Sequence, residues 1–198
     1  MRLDAAYWEY HYIHGTTGWD AGSITTPIKD YVDQLTNGDL RILIPGAGNG
    51  YEAEYLFKSG FQNVFVLDFA RTPLENFRKR VTEFPTENLI QTDFFTISGQ
   101  FDLIIEQTFF CSFDRNLRQR YAEKMFDLLI PGGKLVGVLF DSFLNADYPP
   151  FGGTLVEYKS YFESLFAFRI FERCRNSIKP RQGTELFMIL ERNQNSKI

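Results

Sequence analysis

The sequence predicts an α/β domain: a mostly parallel sheet with one antiparallel strand and helices on both faces. Three observations carry this. Short apolar runs alternate with segments of helical periodicity along the whole chain. Most successive runs are separated by helix-length connections, which parallel strands require. The first run ends in the glycine-rich stretch "IPGAGNGY", Ile44 to Tyr51, where a strand turns sharply into a helix.

The elements follow in order. An aromatic N-terminal segment runs to about Asp20. Pro27 suits a first helical turn, and its helix continues to about Leu35 before "NGD" breaks it. "LRILI" (Leu40 to Ile44) reads as a buried strand, and Tyr51 to Lys58 as the helix after the glycines. "NVFVLD" (Asn63 to Asp68) is the second strand. Pro73 opens a helix that sets Leu74, Phe77, Val81 and Phe84 near one face. "NLIQTD" (Asn88 to Asp93) and "FDLIIEQT" (Phe101 to Thr108) are the third and fourth strands. Leu117 to Leu129 is a helix ended by "PGG", and "KLVGVLF" (Lys134 to Phe140) is the fifth strand. A helix from about Thr154 to Phe166 precedes a final pair, "FRIFERC" and "ELFMILER", which brings the antiparallel strand.

With 198 residues, 44% hydrophobic, the chain suits one domain spanning 1–198 with a sizeable core. A net charge of −4 disfavours a nucleic-acid partner, which calls for a basic surplus. No segment approaches the ~18 apolar residues of a membrane helix. "MRLDAAYWEYHYIHG" lacks the apolar centre of a signal peptide. Cys111 and Cys174 form neither a disulfide framework nor a metal cluster, and they suit a reducing cytoplasm.

The glycine turn narrows the ligand. Gly46, Gly48 and Gly50 allow close approach of a ligand to the backbone, and free N–H groups of the next helix lie behind them. The pattern is G-x-G-x-G. Tyr51 stands where the dinucleotide fingerprint needs a small residue, so a pyrophosphate cradle is not indicated and a nicotinamide reductase is disfavoured. Asp68 ends the second strand 22 residues past Gly46, where a carboxylate can accept from both hydroxyls of a ribose. Asp93, followed by Phe94 and Phe95, ends the third, where a carboxylate beside a ring suits a purine edge.

These features, in this order, resemble the class I S-adenosylmethionine-dependent methyltransferases with their Rossmann-like, seven-stranded sheet. More narrowly, the chain is similar to the thiopurine S-methyltransferase family, including its thiol and halide methyltransferase branch. The matching stretches are "YWEYHYIHGTTGWDAG", "LIPGAGNGYEAEYL", "VLD", "TDFF", "QTFFCSFDRNLRQRYAEKMFDLLIPGGKL" and "YPPFGG", from Trp8 to Gly153. The resemblance implies S-adenosyl-L-methionine as cofactor. Trp8, Tyr12 and Trp19 would belong to a segment, residues 1–20, that covers it. Gly46 and Gly48 would meet its methionine part, Asp68 its ribose, Asp93 and Phe94 its adenine, and Gln107 the region of the transferred methyl. The sequence departs from many methyltransferases at Ile44, where an acidic residue commonly receives the cofactor ammonium.

The reaction implied is in-line displacement of the methyl from a sulfonium. A thiolate attacks without a strong base, so the expectation is an aromatic, dry pocket with no catalytic acid–base residue and no metal. Phe109 and Phe110 after the fourth strand, and Tyr148 and Phe151 after the fifth, are the candidate pocket residues. Cys111 is a small buried residue on this reading. His11 and His14 are surface or hydrogen-bonded groups. "DYPPF" differs from the amino-methylating D/N-P-P-Y signature, because it follows the fifth strand and puts Tyr148 in the acidic slot. The expected partner is a small-molecule methyl acceptor, a thiol, thiopurine or halide, met by a monomer. The alternatives are an O- or N-methyltransferase of another metabolite, or a non-catalytic cofactor-binding protein.

Overall fold

The structure, a computed structural model, describes residues 2–194. Its elements are α1 (Ala5–Ile13), α2 (Thr26–Val32), β1 (Ile42–Pro45), α3 (Tyr51–Lys58), β2 (Val64–Asp68) and α4 (Arg71–Arg80). They continue with β3 (Leu89–Gln91), β4 (Phe101–Gln107), α5 (Arg118–Leu128), β5 (Leu129–Phe140), α6 (Leu155–Phe162), β6 (Phe166–Arg173) and β7 (Glu185–Arg192). The seven strands lie in the order β3-β2-β1-β4-β5-β7-β6. β1 to β5 are parallel, and β7 runs antiparallel to both β5 and β6. Strand order reverses between β1 and β4, the place where such sheets bind ligands.

Alternation along the strands sorts the core onto two faces. Ile42 and Ile44 of β1, and Leu103 and Ile105 of β4, pack with Ile28 of α2, Leu56 of α3 and Phe77 of α4. Leu43 and Ile104 point the other way, into a cluster with Tyr121 and Met125 of α5 and Phe162 of α6. Helices therefore cover both faces.

Four boundaries differ from the sequence reading, each for a local reason. α1 was not anticipated in the aromatic N-terminal segment; Asp4 caps it by accepting from the Tyr7 amide at 3.1 Å. α4 begins at Arg71, not at Pro73, because a proline anywhere in the first turn forfeits only an amide that has no intrahelical partner. "PGG" does not separate α5 from β5. Leu129 already pairs with Phe101, and Leu103 next pairs with Lys134, so a bulge with Gly132 at φ 79° absorbs the three residues. α6 ends at Phe162, because Phe166 has already paired with Arg192 as the start of β6.

Among the described residues no helix is long and apolar enough to cross a membrane.

Candidate active site

The carboxyl ends of β1, β2 and β4, together with α1 and the residues that follow it, enclose a cavity of about 490 Å³. Its size falls within the usual range for small-molecule sites. Trp8, Tyr12, Trp19, Gly46, Gly48, Asp68, Asp93, Phe94 and Gln107 all line it.

The bend after β1 forms one wall. Gly46 and Gly48 have φ of 58° and 53°, in the left-handed region. Each is also pressed by a ring. A Cβ on Gly46 would lie 1.9 Å from Cδ2 of Phe109, and one on Gly48 would lie 2.5 Å from the Tyr12 hydroxyl. Gly46 therefore packs against Phe109 where a Cβ would stand, and it also lines the cavity.

Asp68 faces this bend. Its Oδ2 accepts from the Gly48 amide at 2.9 Å and its Oδ1 from the Ala70 amide at 2.9 Å. Burial pushes its carboxyl up to about 6, against the amides of Ala70, Gly48 and Phe69, which favour the charged form. Asp93 is exposed in the turn after β3, and its Oδ1 accepts from the Phe95 amide at 2.8 Å. Phe94 is 3% exposed and packs into the ring cluster with Phe109 at 5.2 Å between centroids. Phe95, half-buried and also lining the cavity, presents more of its surface.

Gln107 ends β4. Its Oε1 accepts from the Thr25 hydroxyl at 2.7 Å, and its buried Nε2 has no hydrogen-bond partner. An orphaned donor at a cavity wall is a place for a ligand acceptor. One residue earlier, alternation turns Glu106 to the opposite face. It is fully buried, accepts from the Phe109 and Phe110 amides at 2.8 and 2.9 Å, and also accepts from the Tyr121 hydroxyl. Burial pushes its carboxyl up to about 7. These bonds hold the turn in which Thr108 takes φ 57°, a strained value for a β-branched residue.

The N-terminal segment is fastened at three points. Glu9 of α1 caps the start of α4, accepting from the Arg71 amide at 2.7 Å and the Thr72 amide at 3.0 Å. Asp20 accepts from Asn49 Nδ2 at 2.5 Å, and the Trp19 carbonyl accepts from Arg181 Nη2 at 2.6 Å. Trp19 meets Trp8 edge-on at 5.3 Å and Tyr12 at 6.0 Å between centroids.

The expected acceptor pocket is only partly assembled. Phe109 lines the cavity; Phe110, Tyr148 and Phe151 do not. Phe110 is 1% exposed among Tyr121, Tyr158 and Phe162, a core residue because the Glu106 turn points it inward. Phe151 is pinned by its backbone: its amide donates to the Cys111 carbonyl at 2.7 Å and its carbonyl accepts from buried Arg118 at 3.0 Å. Tyr148 is exposed, while its neighbours Pro149 and Pro150 reach the cavity. Phe113 and Leu117 add apolar lining that the sequence reading did not assign.

His11 and His14 do not line the cavity; His11 Nδ1 pairs with the Thr16 hydroxyl at 2.7 Å, and His14 donates to the Tyr10 carbonyl at 2.8 Å. Cys111 is buried, and burial, reinforced by Glu106, pushes its thiol up to about 12. It is a poor nucleophile there. The reading missed Glu9, Thr25, Glu52, Glu106 and Arg181. Glu106 was visible as an acid after the apolar run of β4, and Glu52 as an acid just past the glycines. Nothing local marks Arg181 in its loop.

A seven-stranded sheet in this order, with its cavity at the β1/β4 switch, is the architecture of class I methyltransferases. A solved structure, the 1,6-didemethyltoxoflavin-N1-methyltransferase of Burkholderia thailandensis with bound 1,6-didemethyltoxoflavin and S-adenosylhomocysteine, shares this fold. Its TM-score is 0.75 at 16% identity, over 96% of this chain and 88% of that one. Among curated proteins, "Probable thiol methyltransferase 2" of Arabidopsis thaliana is 33% identical over 187 residues, 90% of this chain and 81% of the relative. "Thiocyanate methyltransferase 1" of Brassica oleracea is 28% identical over 184 residues, with the same two shares of 90% and 81%. The chain is an S-adenosylmethionine-dependent methyltransferase. The family model described as Thiopurine S-methyltransferase matches residues 3–195, and the chain belongs to that family.

Proposed function

We propose that this chain methylates a small, soft nucleophile, a thiol first and a thiopurine or halide by the same chemistry. The observation that carries this is the composition of one cavity. Asp68 and the Gly48 bend share its wall with the orphaned Gln107 amide, rings line it, and among the described residues no histidine or lysine does. An acceptor partly ionised near neutral pH suits such a site, because it brings its own nucleophilic electron pair. The curated relatives, named for thiol and thiocyanate methylation, support the same class.

S-Adenosylmethionine supplies, when bound, a methyl group on an already activated sulfonium. The chain's own residues bind and orient. Asp68 is the ribose acceptor, its two oxygens fixed by backbone amides but each with capacity for another donor. Asp93 and the Phe94–Phe95 pair form the adenine end. Gln107 Nε2, aimed by Thr25, donates near the reacting centre. Residues 1–20 act as a cover that excludes water, through Trp8, Tyr12 and Trp19. Positioning of this kind supplies roughly 7–11 kcal/mol in favourable cases. Residues 1–198 act as one domain and as a monomer in a reducing cytoplasm, without nucleic acid or membrane. The net charge of −4 and two free buried thiols support that setting.

A radiolabelled-methyl transfer screen over thiols, thiopurines, halides, phenols and amines tests the reading. Transfer to thiols or halides is expected. Transfer only to phenols or amines would move the assignment to an O- or N-methyltransferase, and no calorimetric binding of S-adenosylhomocysteine would overturn it.

A further inference from the structure

Ile44 of β1 is buried and apolar, so the side chain two residues before Gly46 offers nothing to a cationic group. The same cavity contains a different acid. Glu52, the second residue of α3, lines it, is 6% exposed, and accepts no hydrogen bond from any other described residue. A desolvated carboxyl bonded only by its own backbone amide is costly in its charged form, and burial pushes this one up to about 7.

Arg181, from the β6–β7 loop, also lines the cavity and lies close enough for its charge to act on Glu52. It is 9% exposed. Its Nη2 is engaged by the Trp19 carbonyl, but its buried Nη1 has no hydrogen-bond partner, only a 3.5 Å contact with Glu185 Oε1. Asp20, another carboxylate of the lining, accepts from the Gly22 amide at 2.7 Å and Asn49 Nδ2 at 2.5 Å, which tie it to two neighbouring turns. The wall thus carries a carboxyl that no other described residue bonds and a guanidinium whose Nη1 has only its ion pair with Glu185, of opposite charge and both withdrawn from water. An α-amino acid, with ammonium and carboxylate on one carbon, complements this pair. Glu52 and Arg181 are not joined by a direct hydrogen bond; the carboxylate paired with Arg181 is Glu185.

We propose that Glu52 receives the α-ammonium, and Arg181 Nη1 the α-carboxylate, of the cofactor's amino-acid end. The inference rests on the S-adenosylmethionine reading above and answers what replaces the acid missing at Ile44.

The test compares S-adenosylhomocysteine with 5′-methylthioadenosine, which keeps the nucleoside and thioether but lacks the amino acid. Calorimetry on the full chain gives both affinities. Glu52→Gln should lower the affinity for S-adenosylhomocysteine about tenfold or more and change that for 5′-methylthioadenosine by no more than about twofold. Arg181→Gln also frees the Trp19 carbonyl, so it weakens both ligands. The ratio of the two affinities should still fall about tenfold, while the ratio for decarboxylated S-adenosylhomocysteine against 5′-methylthioadenosine stays constant. An unchanged ratio in either variant, or an equal loss of both ligands, overturns that residue's assignment. Failure of the wild-type chain to bind either ligand overturns the cofactor reading instead.

Discussion

Asp68 Oδ2 accepts the Gly48 amide at 2.9 Å, so the last residue of β2 clasps the bend that follows β1. One carboxylate is both a structural clasp and the candidate ribose acceptor. Asp68→Ala should therefore weaken S-adenosylhomocysteine binding by roughly 1.5–3 kcal/mol and lower the melting temperature as well. Calorimetry reads the first and thermal unfolding the second. An unaltered dissociation constant would remove Asp68 from the site.

Glu9 ties α1 to α4 from the far side of the cover. Glu9→Ala removes its bonds to Arg71 and Thr72 and leaves the start of α4 uncapped. The cap itself is worth about 1 kcal/mol. The Michaelis constant for cofactor should rise while the far-ultraviolet circular dichroism stays that of the wild type. Normal kinetics in this variant would show that the cover seats without its anchor.

Gly46 and Phe109 are in contact that leaves no room for a methyl group. Gly46→Ala should destabilise the fold by about 2 kcal/mol or more, from overpacking joined to a left-handed φ. Adding Phe109→Ala should restore only the overpacking share, since the backbone angle is unrelieved. Denaturant unfolding of both variants measures the split, and full recovery would show that the glycine is required for space alone.

Three buried carboxyls, Glu52, Asp68 and Glu106, are all raised by burial, to about 7, 6 and 7. Each therefore holds its proton more tightly folded than unfolded. That contribution to stability is complete below about pH 4 and is lost as pH climbs through 6 to 7. Asp20 and Arg181 act on Glu52, Glu9 acts on Asp68, and Tyr121 faces Glu106. The unliganded protein should melt roughly 5 °C or more lower at pH 8 than at pH 5. Glu106→Gln should flatten the slope. A melting temperature that rises over this interval would contradict the burial of all three.

The fold was legible because its signals are local and periodic. β1, α3 and β2 follow from a short apolar run, three glycines and a second apolar run within about thirty residues. The cavity wall at Gly46, Asp68 and Gln107 was legible for the same reason: these residues sit at or just past strand ends. The placing of the rings after β4 and β5 was not. Phe110 and Phe109 are neighbours in sequence, yet Glu106 takes both their amides and turns one ring to the core and the other to the cavity. Arg118 likewise fixes Phe151 from 33 positions away. Side-chain hydrogen bonds to backbone groups, near or far in sequence, leave no periodic trace. "PGG" misled because a bulged strand and a helix stop use the same residues.

The bond from Arg181 to the Trp19 carbonyl joins positions 162 apart. During synthesis the first twenty residues leave the ribosome long before the loop that pins them exists. The anchors of Glu9 and Asp20, to Arg71, Thr72 and Asn49, can close early, and only the one at Trp19 waits for the β6–β7 connection. The segment is thus fastened in stages, and a variant that ends before Arg181 should keep the first two anchors and lose the third.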